Sequence, residues 1–433
     1  MKRILLLILL NLSFQSNAQL PTPTLVGYWH NWSDVNAPYI PLDLVDNRYN
    51  VIEVSFAVPT SPSDMTMLFT PDGISSSQFI TKVQYLQSQG KKVLISIGGA
   101  NTSIDLTTMV NKNAFISSMT GIINTYRFDG IDIDIENGNS ILAGGGTITN
   151  PSSIAQINLI DAIKQIMANY RTNHSAKLIL TMAPETAYVQ GGQSAYGGIW
   201  GGYLPIIHGL RDSLDLLQVQ LYNSGSMYGI DGAIYTQGTA DFIVAMTEAV
   251  IHGFNTGGGF FIGLPADKIA VGLPACTNAA GGGFTDTASV RSAIMYLRGY
   301  GPPAGNYLLT NVNGYPTLRA MMTWSVNWDA VSTCGSSWEY ANNFQTIFGI
   351  STAISEYSSK QNLLVYPNAS NGNFKISNYP INAKLEISNL KGEIIFKSEG
   401  KDLDKGISLQ NKGVFILRII APDEVIIKKL IIE

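Results

Sequence analysis

The sequence predicts a (β/α)8 TIM barrel over most of the chain, followed by a small all-β, immunoglobulin-like sandwich. Three observations carry this. Eight short β-branched runs alternate with longer amphipathic stretches, the pattern of a parallel sheet built from strand–helix units. The unusual polar residues gather where those runs end, the catalytic rim of such a barrel. After about residue 350 the period changes to short alternating strands separated by Asn-Gly, Lys-Gly and Pro turns.

In chain order, Lys2 and Arg3 precede an apolar run from Ile4 to Leu10, and Ser16, Asn17 and Ala18 follow as small residues before Gln19. This reads as a signal peptide over residues 1–18, too short to span a bilayer, and no later segment is long and apolar enough to do so. The expected barrel strands are 25–32, 51–58, 92–99, 130–136, 177–184, 214–222, 268–275 and 320–328. Their ends carry Trp29 to Trp32, Ser96 to Gly99, Asp132 to Glu136, Met182 to Glu185, Gln220 to Asn223 and Trp324 to Asp329. Segments 154–170, 242–252 and 288–299 have helical apolar spacing and read as outer helices. The barrel is expected over 19–350, a Ser-rich linker over 351–362, and the sandwich over 363–433. Its strands are read at 363–366, 373–376, 384–388, 393–397, 414–420 and 425–431. The glycine-rich stretches at 144–146, 257–259 and 281–283 lack a strand-to-helix context and a phosphate-loop lysine, which excludes a nucleotide site.

Composition narrows the function further. Of 433 residues 45% are hydrophobic and 13% charged, with a net charge of -4, so the basic field that nucleic acid or an anionic membrane requires is absent. The 20 Tyr and 6 Trp suit sugar faces, although core packing accounts for most such residues in any protein. None of the four histidines has metal-ligand spacing, so neither metal nor cofactor is expected. Cys276 and Cys334 are open to pairing in an exported protein, and their spacing leaves it undecided.

The most informative segment is FDGIDIDIE at 128–136. Strand side chains alternate, so Asp132, Asp134 and Glu136 share one face and Ile131, Ile133 and Ile135 the other. With the isoleucines against the helices, three acids point into the barrel, and like charges at that spacing in low dielectric cannot all ionise. Stacked carboxyls keep the outermost one protonated, which is what cleavage of a glycosidic bond asks of its general acid. Glu136 is outermost.

Here the sequence resembles glycoside hydrolase family 18, the chitinases and their relatives. Asp129, Gly130, Asp132, Asp134 and Glu136 match the signature DGxDxDxE. Ser96–Gly99 is similar to the third-strand SIGG, Thr181–Glu185 to the fifth strand, Gln220–Asn223 to the sixth-strand QLYN, and Trp324 to the tryptophan under the bound sugar. The resemblance implies a substrate-assisted, retaining cleavage of chitin or N-acetylglucosamine oligosaccharides. Glu136 would protonate the glycosidic oxygen while the substrate's acetamide attacks. Asp134 would orient the acetamide and share a proton with Asp132, and Tyr222 would donate to its oxygen. Tyr28 and Ser96 match positions that hold the inner aspartate. Gln220, Asn223 and Met182 would line the reacting subsite, and Phe56 its floor.

Two departures bear on the groove. Ala100 stands where many members place a tryptophan, and residues 276–319 leave room for a helix but not for the extra α+β module of processive relatives. The groove is therefore expected to be open and the action internal, with Trp29, Trp32, Tyr188, Trp200 and Trp328 as candidate lining residues. The tail, with YPNASNGNF at 366–374, ISNLKGEII at 387–395 and GVFILRI at 413–419, resembles the C-terminal sorting domain of type IX secretion, Ala369 standing in place of a usual proline. That implies a secreted or cell-surface protein with the secretion machinery as partner. An endo-β-N-acetylglucosaminidase acting on N-glycans and a non-catalytic chitin-binding lectin are the competing readings.

Overall fold

The computed structural model describes residues 19–331, 335–349, 364–377, 383–389, 393–399, 406–420 and 425–433. The expected signal peptide, linker and Cys334 lie outside these residues; Cys276 is buried. The chain divides into two compact units, 1–348 and 349–433.

The first unit is a parallel barrel. Its strands are β1 (Thr24–His30), β2 (Val51–Ser61), β3 (Lys92–Gly98), β4 (Gly130–Asp134), β5 (Ile179–Met182), β6 (Leu216–Leu217), β7 (Ala270–Pro274) and β8 (Ala320–Trp324). They run in the order β7-β8-β1-β2-β3-β4-β5-β6. The bridges Leu217 to Ile269 and Gln220 to Gly272 close the ring between β6 and β7.

Helices follow seven of the strands: α1 (Ser76–Ser88), α2 (Met109–Tyr126), α3 (Ile154–His174), α4 (Leu204–Leu210), α5 (Ala240–His252), α6 (Thr287–Leu297) and α7 (Glu339–Phe348). Between β1 and β2 the described chain has only the 3-10 turn Leu42–Leu44, so the first strand–helix unit departs from the expected pattern. Local sequence sets the helix ends. The Ser75 side chain and Gln78 form a reciprocal capping box at the start of α1, and α3 ends where Ser175 turns left-handed at φ 53°.

Two strands are shorter than expected. Of 214–222 only Leu216–Leu217 is strand, with Gln220 rejoining the sheet through bridges to Glu185 and Gly272. Of 320–328 the strand ends at Trp324, because Ser325 caps a helical turn, Val326–Asp329, by accepting from the Trp328 N–H. Both breaks release the chain from the ladder at the rim, where the polar side chains are needed.

Ile131, Ile133 and Ile135 are buried in the layer between sheet and helices, with Leu159, Ile163 and Ile166 of α3 in the same cluster. Each such side chain contributes about 1.5–3 kcal/mol over leaving it in water. A separate inner cluster, including Val26, Val51, Leu94, Ile179, Leu216 and Met322, fills the barrel.

The second unit is all β. A three-stranded sheet joins Leu364–Tyr366, Asn373–Ser377 and Ile407–Ser408; a four-stranded antiparallel sheet runs Ile394–Glu399, Lys384–Asn389, Gly413–Ile420, Val425–Ile432. Phe374, Leu385, Ile387, Leu417, Ile419 and Leu430 make one core between them.

Candidate active site

The alternation of β4 has the expected result. Asp132 and Asp134 are buried inside the barrel, and Glu136, two residues past the strand end, is half-buried at its mouth. Paired rows fix the neighbours: Ser96 of β3, Asp132 and Thr181 of β5 share one register row.

Asp132 is held by donors from three strands and from Gln218, just past the end of β6. Its Oδ2 accepts from the Tyr28 hydroxyl and the Ser96 hydroxyl, both at 2.7 Å. Its Oδ1 accepts from the Thr181 hydroxyl at 2.7 Å and from Gln218 Nε2 at 3.2 Å. Above it, Gln220 Nε2 donates to Asp134 Oδ1 at 2.8 Å and to Glu136 Oε1 at 3.2 Å, and is anchored on the Ala183 carbonyl at 2.9 Å. Gln220 therefore ties the two outer acids together, beyond the lining role expected of it.

The electrostatics follow from burial. Burial, then the proximity of the Glu136, Asp132 and Glu53 carboxyls, pushes the Asp134 carboxyl well above the usual carboxylate range. Burial also raises Glu136, partly offset by the Gln220 hydrogen bond. Burial and the nearby acids push the Tyr222 phenol well above its ordinary value, so it remains a neutral O–H donor. Glu185 is pushed up to about 7 by burial and then by the Glu136 charge. The Tyr188 hydroxyl donates to the Glu136 carbonyl oxygen at 2.7 Å, fixing the backbone that carries the acid.

A cavity of about 370 Å³ opens over these groups. Asp134, Glu136, Gln220, Tyr222 and Asn223 supply the polar part of its lining, and Trp32, Phe56 and Trp324 much of the aromatic part. Phe56 and Trp324 are stacked, with centroids 6.0 Å apart and planes 12° apart; Trp32 lies within 6.4 Å of both. His30 backs this wall, stacked on Trp32 at 4.5 Å, and burial lowers its pKa to about 4, so it is neutral there. Gly98 and Gly99 let the backbone approach: both have positive φ, and a Cβ would stand 2.4 Å from the Asp134 carbonyl at Gly98 and 2.8 Å from the Phe56 ring at Gly99. Asn223, left-handed at φ 53°, uses its Oδ1 to accept from the Gly282 N–H at 3.1 Å, tying the β6 rim to the 281–283 loop.

Tyr28 and Ser96 lie beneath the cavity on Asp132. Met182 is a correction. It pairs with Ile133 in the β4–β5 register and is buried in the outer layer against the helices, because alternation puts it opposite Thr181. Of the other aromatics considered, Trp32 lines the cavity; Trp29 is core, donating to the Ile40 carbonyl, and Trp328 lines a separate depression with Val35 and Pro38. Sequence reasoning missed Glu53, Thr181 and Gln218. Glu53 with Ser55 and Gln218 with Gln220 repeat a polar residue at the second place of apolar segments, which marks an inward polar face but not its partners; Thr181 has no such repeat.

The family model for glycosyl hydrolases family 18 matches residues 24–361, and that for a secretion system C-terminal sorting domain matches 364–433. The chain is 46% identical over 329 residues to Chitinase Chi52 of Paenibacillus xylanexedens, covering 74% of this chain and 62% of that protein. It is 49% identical over 311 residues to Chitinase D of Niallia circulans, covering 71% and 58%. The chain thus spans about three fifths of the length of these relatives. Among solved structures it is similar to a family GH18 chitinase from Chromobacterium violaceum, with a TM-score of 0.67 and 36% identity over 76% of this chain and 85% of that one.

Proposed function

Because the chain belongs to glycosyl hydrolases family 18, we propose that it hydrolyses the β-1,4 linkages of chitin, with retention and with the substrate's own acetamide as nucleophile. One observation carries this reading. Asp134 and Glu136 are the two carboxylates among the residues lining the cavity, and both rise from β4. A two-carboxylate displacement needs its second acid across the sugar ring from the first. The rest of the lining supplies aromatic, amide, hydroxyl and backbone groups and no third carboxylate, which supports a nucleophile carried by the substrate.

The roles follow from chemistry. Glu136, at the mouth and raised by burial, keeps its proton for the leaving oxygen. The 2-acetamido oxygen attacks the anomeric carbon as that bond breaks, an intramolecular step helped by high effective molarity. Asp134 passes its proton inward to Asp132, then accepts from the acetamide N–H and balances the oxazolinium charge, while Tyr222 donates to the acetamide oxygen. Glu136, now a base, activates the water that opens the ring. Trp324, Phe56 and Trp32 take the apolar face of the sugar. Asp132, Tyr28 and Ser96 hold the base of the stack.

Residues 275–319 contain the turn Thr277–Ala279, α6 and loop, which supports an open groove and internal cutting. The sorting domain marks the protein for type IX secretion, to the medium or the cell surface; we assign its last seventy residues as the surface the secretion machinery reads. Among the described residues no helix is long and apolar enough to cross a membrane.

Digestion of colloidal chitin beside a high-mannose glycoprotein tests the substrate. Chitin viscosity should fall faster than reducing ends accumulate, with short oligomers as products. Release of the glycan with chitin untouched would transfer the assignment to an endo-β-N-acetylglucosaminidase, and binding without cleavage would make the barrel a lectin.

A further inference from the structure

Glu53 of β2 is fully buried inside the barrel and takes no part in the chemistry above. Its surroundings pose a question of proton count. The Thr181 hydroxyl lies 2.8 Å from Glu53 Oε1 and 2.7 Å from Asp132 Oδ1. A hydroxyl has one hydrogen. It donates to one of these oxygens and is an acceptor towards the other, so the other carboxyl must carry a proton.

The remaining donors decide which one. Asp132 also receives the hydroxyls of Tyr28 and Ser96 at 2.7 Å and the more distant Gln218 amide, a donor set suited to an anion. Glu53 receives the same Gln218 Nε2, 2.7 Å from each of its oxygens. With Oε2 accepting from Gln218, Oε1 is left to donate to Thr181.

We infer that Glu53 is a neutral carboxylic acid whose O–H donates to Thr181, so that the Thr181 hydrogen is directed onto Asp132 and positions it as the buried anion at the base of the acid stack. The titratable groups facing Glu53 are Tyr28 from β1 and Asp132 from β4, with Asp134 further up β4; β5 and the chain just past β6 present Thr181 and Gln218, which do not titrate. Burial and the Asp132 charge push Glu53 upward, in the same direction. Glu53 is thus a positioning residue, acting on the reaction through Thr181 and Asp132.

The location of the proton stands apart from the reaction, whereas the kinetic consequence rests on the chitinase reading. The full-length protein is compared with Glu53→Gln and Glu53→Met. In infrared spectra at neutral pH, wild type minus Glu53→Gln should show the carbonyl band of a protonated carboxylic acid; a pair of carboxylate bands in its place overturns the inference. Gln supplies a donor and an acceptor as the neutral acid does, so kcat on chitin oligosaccharides should stay within about threefold and both limbs of the pH profile should hold, while Met should lower kcat about tenfold at unchanged KM. If the basic limb in Glu53→Gln moves to lower pH, an anion has been removed and the inference fails. It fails equally if Gln is as damaging as Met. Should Glu53→Met not fold, the infrared band and the Gln profile decide alone. Should the wild type leave chitin oligosaccharides intact, the proposed function falls while the infrared readout still judges Glu53.

Discussion

Strand β4 and the tail strand Lys384–Asn389 alternate in the same way but put different residues inside. In the tail, Leu385 and Ile387 point inward and are fully buried, while Glu386 faces out and pairs with Lys397 on the neighbouring strand at 2.9 Å. In β4 the apolar residues, Ile131 and Ile133, also pack against another layer, but the opposite face carries Asp132 and Asp134 into the barrel interior. A buried acid is costly unless its hydrogen bonds are met. The barrel meets them with Tyr28, Ser96, Thr181, Gln218 and Gln220; the tail strand Lys384–Asn389 incurs no such cost. The difference teaches where to look for chemistry: alternation alone makes a core, and chemistry lies where the inward set is polar and fully supplied with donors.

The largest test of this contrast is Glu136→Gln. Hydrolysis should fall by roughly 10²–10⁴-fold with the melting temperature unchanged, because its proposed role places the side chain on the substrate and not on the core. Loss of stability alongside activity would make the β4 acids structural and erase the contrast.

Next comes the tail. Leu417→Ala should destabilise that unit by about 2–5 kcal/mol, seen in calorimetry as a lowered separate transition. Hydrolysis of soluble oligosaccharides should continue at the wild-type rate, and enzyme should accumulate in the periplasm of a host with type IX secretion. Normal export with weakened attack on insoluble chitin would make the tail a sugar-binding module instead.

The smallest effect sharpens the role of Gln220. Its amide hydrogen-bonds to Asp134 and Glu136 and favours their charged forms, so Gln220→Met should raise the Glu136 pKa further. The general acid must be protonated, and activity is lost as pH rises through that pKa. The basic limb of the kcat/KM profile should therefore move to higher pH; a move to lower pH would mean that Gln220 holds the acid in its neutral form.

Much of this was legible in the residues. Period-two alternation separated the acids of FDGIDIDIE from its isoleucines, and the eight apolar runs located the barrel strands. What escaped did so for physical reasons. Glu53 is a lone acid in VIEVSF, and nothing local says that a hydroxyl and an amide from distant strands meet it. Resemblance places Met182 in the cavity, although alternation against Thr181 puts it with Ile133. The early end of β8 depends on Ser325 capping a turn, which resembles continued strand until the backbone is seen.

In a closed barrel each strand is neighbour to two others, so a slip of one residue must be carried around the whole ring. Only at β6 is the ladder reduced to Leu216–Leu217, with single bridges at Leu217 and Gln220 completing the circle to β7. Gln218, Gln220, Tyr222 and Asn223 all lie on or just past this join. Considered as tolerance to insertion and deletion, the chain can lengthen or shorten beyond Asn223 without shifting the acids of β4, whereas a slip before it would carry Gln218 and Gln220 off the acids they hold.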